Sequence, residues 1–104
     1  MFKIYKLEIE KKQGIRNRDV IDNYLDLYNG HAGYTYVCTT LDEENFIATV
    51  GQFVLEWNPY RDKDNIIALV VEDENENIID YLYETEEGSL QWAENYDFLK
   101  DLSK

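Results

Sequence analysis

Apolar residues fall into short blocks separated by charged ones, and the spacing within the blocks switches between the two-residue period of a strand and the longer period of a helix. Phe2, Ile4 and Lys6 alternate with Lys3, Tyr5, Leu7 and Ile9, which predicts a first strand. Past a break at residues 10–14, Val20, Ile21, Tyr24, Leu25 and Tyr28 recur at helical spacing, with Asn17 placed as a cap and Gly30 as a stop. Residues 34–39 are rich in aromatic and β-branched side chains and predict a second strand. Phe46, Ile47, Val50, Phe53, Val54 and Trp57 return to helical spacing, and Thr40 with Glu43 matches a capping box. The competing reading of residues 41–57 is a hairpin with 46–50 as a strand, since Gly51 costs a helix about 1 kcal/mol relative to alanine.

Residues 65–72 and 77–84 predict a hairpin across the acidic loop Asp73, Glu74, Asn75 and Glu76. With the turn at 74–76, Ile67, Leu69 and Val71 share a face with Ile79, Tyr81 and Tyr83, and Asp80 and Glu84 point the other way. That second face still carries Ile66, Ala68, Val70, Ile78 and Leu82, so the hairpin is expected to be covered on both sides. Ser89 is placed to cap a last helix whose buried stripe is Trp92, Tyr96 and Leu99. The order β-α-β-α-β-β-α predicts an α/β or α+β domain, a mixed sheet of about four strands with three helices. It is similar to the order of a thioredoxin core, but no Cys-x-x-Cys accompanies it, and topology alone implies no activity.

Composition adds that the chain folds. Its 104 residues suit one globular domain, 1–104, and 44% hydrophobic with 14% aromatic content is unlike a disordered acidic tail. No window approaches the eighteen or so apolar residues of a membrane span, no signal-peptide pattern opens the chain, and the lone Cys38 suits a reducing compartment; the expectation is cytoplasmic.

Charge changes the picture most. The net charge is -12; six of the ten basic residues lie between Lys3 and Arg18, and between Asp19 and Leu99 only Arg61 and Lys63 are basic. A surface built for solubility alone mixes both signs, so such segregation points to a basic partner. Asp19, Asp22 and Asp26 share one stripe of the first helix with a spacing of about 5 Å per turn, close to that of phosphates along a strand. The hairpin loop (Glu72, Asp73, Glu74, Glu76) and Glu84, Glu86 and Glu87 extend the candidate surface, and nine tyrosines supply interface-forming side chains.

Catalytic and metal chemistry find little to stand on. One cysteine and one histidine fall short of a zinc site, and Cys38 with His31 as base sits in a negative field that opposes thiolate formation. Asp73, Asn75, Asn77 and Glu84 repeat part of a calcium-loop spacing, but Ile78 stands where the loop needs glycine. No phosphate-binding glycine loop is present, and the negative surface repels nucleic acid despite Lys11, Lys12, Arg16 and Arg18.

The expected function is therefore that of a non-enzymatic, cofactor-free acidic protein that occupies the nucleic-acid site of a basic partner such as a nuclease. In size and charge it resembles phage nucleic-acid mimics of the anti-restriction and anti-CRISPR type. The alternatives are an immunity protein that neutralises a nuclease toxin, and a structural or regulatory module docking on an uncovered hairpin edge, its acidity serving solubility.

Overall fold

A computed structural model describes residues 1–27, 34–58 and 64–94. Five strands, β1 (Phe2–Glu10), β2 (Tyr34–Thr40), β3 (Asn65–Glu72), β4 (Ile78–Glu84) and β5 (Leu90–Trp92), form one sheet in the order β2-β1-β3-β4-β5. Helix α1 (Asn17–Leu27) packs on one face and α2 (Glu43–Glu56) on the other, giving a single compact α+β domain.

Every neighbouring strand pair is antiparallel, so the expected mixed sheet is corrected. A β-α-β crossover would have made β1 and β2 parallel, whereas the chain through α1 returns β2 in the opposite sense, as in a long hairpin. The strand count rises to five because residues after Ser89 add to β4 as β5. Ser89 caps no helix: its N–H and hydroxyl bond the Thr85 hydroxyl at 3.2 and 2.9 Å in a turn where Gly88 takes φ +78°. Tyr96 and Leu99, expected in that helix, lie outside the described residues, as do Tyr28 and Gly30.

The faces of β1 follow the alternation. Ile4 lies opposite Val71 under α2, and Leu7 lies opposite Ala68 under α1. The α1 core joins Leu7, Val20, Ile21, Ile66, Val70, Tyr81 and Tyr83; the α2 core joins Ile4, Phe46, Val50, Leu69, Val71 and Leu82. The hairpin is thus covered on both faces as expected, but its register is not the expected one. Leu69 pairs with Leu82 and Val70 with Tyr81, which puts Tyr81 and Tyr83 with the even-numbered residues of β3. An irregularity between Val71 and Glu72 absorbs the difference.

Both helix starts differ from expectation in their chemistry. Asn17 begins α1, but its side chain donates to the Glu84 carbonyl at 2.9 Å, and the Glu86 carboxylate accepts the Asn17 backbone N–H. A carboxylate there also complements the helix dipole. The cap of α2 is Asp42, two residues beyond Thr40; its carboxylate accepts the Asn45 N–H at 2.8 Å. Helix α2 ends at Trp57 as its pattern predicts, which rules out the hairpin reading of 41–57.

Candidate partner-binding surface

The structure places the ten candidate carboxylates in four different settings. Glu72 and Glu84 are buried, 2% and 7% exposed, so neither belongs to an outer surface. Glu84 accepts the Trp57 indole N–H at 2.9 Å, and Glu72 lies near Tyr5 and Tyr34, whose phenols feel its charge. Asp80, also buried, accepts the backbone N–H groups of Tyr81 and Glu94 at 2.8 and 2.9 Å. A strand covered on both faces turns its acidic residues inward, and each must then find donors.

On α1 the stripe is compensated rather than free. Asp19 pairs with Arg16 at 3.0 Å; Asp22 accepts the Tyr81 hydroxyl and lies 4.0 Å from Arg18, which also reaches Glu94 at 3.2 Å. Of the three, Asp26 is exposed and has no such partner among the described residues. Glu86 is committed to the α1 N-terminus, while the neighbouring Glu87 is exposed.

The hairpin tip lies elsewhere. It is at the far end of β4 from Glu86 and Glu87, about 20 Å away along a seven-residue strand. Those two groups cannot form one short row. Asp73 accepts the N–H groups of Asn75 and Asn77 at 2.8 and 2.9 Å, and these hydrogen bonds hold its carboxyl below the usual range. Its side chain thus builds the turn, with Glu76 at φ 67°, while Glu84 of the calcium-like spacing sits at the opposite end of the strand.

Register reveals the neighbour of this tip. Phe2 faces Thr40 on one side of β1, and Lys3 faces Glu72 on the other, so the start of α2 and the hairpin tip share one end of the sheet. Two inter-strand steps separate them, about 10 Å. Asp42, Glu43, Glu44, Glu74 and Glu76 are exposed there, with Asp73 half-buried among them. Among the described residues the cation paired at this end is Lys3, 3.7 Å from Glu76. Asp42, Glu43 and Glu44 were not among the expected site residues, because in sequence the run reads only as a helix start; the β1 pairing that brings it to the tip is a long-range fact.

Buried phenols mark the opposite, α1-covered face. Burial, and after it the charge of Glu72, pushes Tyr34 up to about 12; burial and the bond to Asp22 raise Tyr81, and burial raises Tyr5 and Tyr83. An unfolded tyrosine ionises near pH 10, so this contribution to stability is complete below pH 10 and is lost as pH rises toward the folded values. The urea midpoint is expected to fall between pH 10 and about 12, less steeply in Tyr34→Phe. A midpoint flat across that window would contradict these phenol environments.

Cys38 is half-buried, with its sulfur 3.4 Å from the Thr49 hydroxyl, and His31 lies outside the described residues. No helix among the described residues is long and apolar enough to cross a membrane. Among the described residues the outermost strands are β2 and β5; the hairpin edge on which a regulatory partner was expected to dock is paired with β5 over Leu82–Glu84 only. Compared with protein-family models, curated proteins and solved structures, the chain gives no match.

Proposed function

We propose that this chain is a cytoplasmic, non-enzymatic binding protein that presents the acidic end of its sheet to the basic nucleic-acid site of a partner, inhibiting it by occupation. The observation that carries the reading is the gathering of Asp42, Glu43, Glu44, Asp73, Glu74 and Glu76 at one end, where among the described side chains Lys3 is the paired cation. Folding two carboxylate runs side by side raises self-repulsion, which a cationic groove lined by Lys and Arg relieves. The same cations that neutralise phosphates accept carboxylates with similar hydrogen-bond geometry. The contact surface is narrower than the charge count suggests. It excludes Glu72 and Glu84, and it leaves Asp19 and Asp22 to their arginines.

A complex of this kind forms fast and weakens steeply with salt. Immobilised chain is expected to retain a basic nucleic-acid-binding protein from its host's lysate at low salt and to release it at high salt or on addition of the partner's nucleic acid. Retention unaffected by both salt and nucleic acid would remove the occupation reading and favour a docking module whose acidity serves solubility.

A further inference from the structure

A groove of about 630 Å³ runs between α2 and the β2 side of the sheet, within the volume range of small-ligand sites. It exists because of side-chain size. Phe46 and Val50 anchor α2 over Ile4, Leu69, Val71 and Leu82, while the walls toward β2 include the short side chains Cys38, Thr40, Ala48 and Thr49, with Cys38 and Thr49 touching at 3.4 Å on one side of the groove. Phe53, Trp57, Ile67 and Leu69 give the remaining surface an apolar character.

Lys6 stands in this floor, between Thr35 of β2 and Leu69 of β3. Lys3, Arg16 and Arg18 have carboxylate partners, whereas the exposed Lys6 ammonium, like those of Lys11 and Lys12, makes no ion pair among the described residues. The acid at the groove rim, Glu56, accepts the Gln52 amide at 2.7 Å. At the other end lies Thr40, 2% exposed, whose hydroxyl has no hydrogen-bond partner among the described residues. Thr40 faces Phe2, four residues from Lys6 along β1, so about 13 Å separates the two polar positions.

We propose that this groove binds an amphipathic carboxylate with an extended apolar body, such as a medium-chain fatty acid, its head on Lys6 and its chain running past Cys38, Phe53 and Leu69 toward Thr40. The orientation follows from charge. Asp42, Glu43 and Glu44 follow Thr40, whereas the Lys6 end sets one ammonium against the single carboxylate of Glu56, so a carboxylate head is repelled less at the Lys6 end. Screening over about 8 Å at physiological salt keeps the distant carboxylates from cancelling the local attraction. This site is independent of the acidic-end reading, and either can fail alone.

The test is calorimetric titration of the full chain with dodecanoate below its micelle concentration, alongside dodecanol and dodecylamine. Dodecanoate is expected to bind saturably with one site, and dodecanol at least about tenfold more weakly, as is dodecanoate with the Lys6→Glu variant. Ala48→Phe, which fills the groove from the exposed side of the helix, should abolish binding while leaving the thermal midpoint near wild type. Absence of dodecanoate binding, or equal binding of dodecanol, would overturn the proposal on the wild-type chain alone. Tighter binding of dodecylamine would show the charge assignment to be wrong.

Discussion

Replacing Phe46 by alanine is expected to remove about 3–5 kcal/mol of stability, the usual range for deleting a buried phenylalanine ring. Phe46 is fully buried, stacks at a tilt on Phe2 with ring centroids 5.4 Å apart, and shares a core with Ile4, Val50, Leu69, Val71 and Leu82. Within α2 only Phe46 and Val50 are buried. Beyond these two, the half-buried Phe53, the Asp42 cap and the Trp57–Glu84 hydrogen bond hold the helix, while Gly51 lowers its intrinsic propensity and its last turn carries no basic residue to meet the dipole. Because total domain stability is typically 5–15 kcal/mol, Phe46→Ala takes a large share and loosens α2 from the sheet. Leu55→Ala, at a side chain 81% exposed on the same helix, should stay within about 0.5 kcal/mol of wild type. Urea denaturation of both variants checks this; a loss under about 1 kcal/mol for Phe46→Ala would mean that α2 is not anchored as described.

Asp80→Ala should cost about 3 kcal/mol. Its carboxylate, 1% exposed, accepts two backbone N–H groups, one from Tyr81 beside it and one from Glu94 beyond β5. Hydrogen bonds to charged groups contribute about 1.5–3 kcal/mol, and donors left buried without an acceptor carry their own desolvation cost. Relief from burying a charge offsets part of this loss, which is why the expected value lies below the sum. Asp80→Asn keeps an acceptor oxygen of the same shape and should lose roughly 1 kcal/mol. The order of the two variants is the informative result in chemical denaturation: an Asn variant as damaged as the Ala variant would show that charge, not accepting capacity, is what the site requires.

The elements legible in the sequence are those with a single dominant period. The two faces of β1 and the apolar stripe of α1 from Val20 to Leu25 follow directly from residue spacing, as does the end of α2 at Trp57. The β3–β4 register was not legible because both faces of that hairpin are buried. When Ile66 to Val71 are apolar without interruption, a shift of one residue moves no polar group into view, so the pattern loses its power to discriminate. A three-residue strand such as Leu90–Trp92 is too short to display any period, and its pairing with β4 decides its state. The candidate site was half legible. Sequence exposes the charge of Glu72, Glu84 and Glu74 equally, but burial separates them, and only strand pairing brings Asp42, Glu43 and Glu44 beside the hairpin tip.

We propose that the acidic end, rather than total charge, engages the partner. This is tested most directly by measuring how strongly the captured partner's nucleic-acid binding is inhibited by three forms of the chain. These are the wild type, the reversal Glu43→Lys, Glu44→Lys and Glu74→Lys, and a control with the same charge change at Asp26→Lys, Glu87→Lys and Glu8→Lys. All six positions are exposed, so the folds should be preserved. Affinity is expected to drop at least about 100-fold for the first variant and less than about tenfold for the control, since adjacent charge pairs couple far more strongly than screened distant ones. Equal losses in the two variants, or none in the first, would contradict the account.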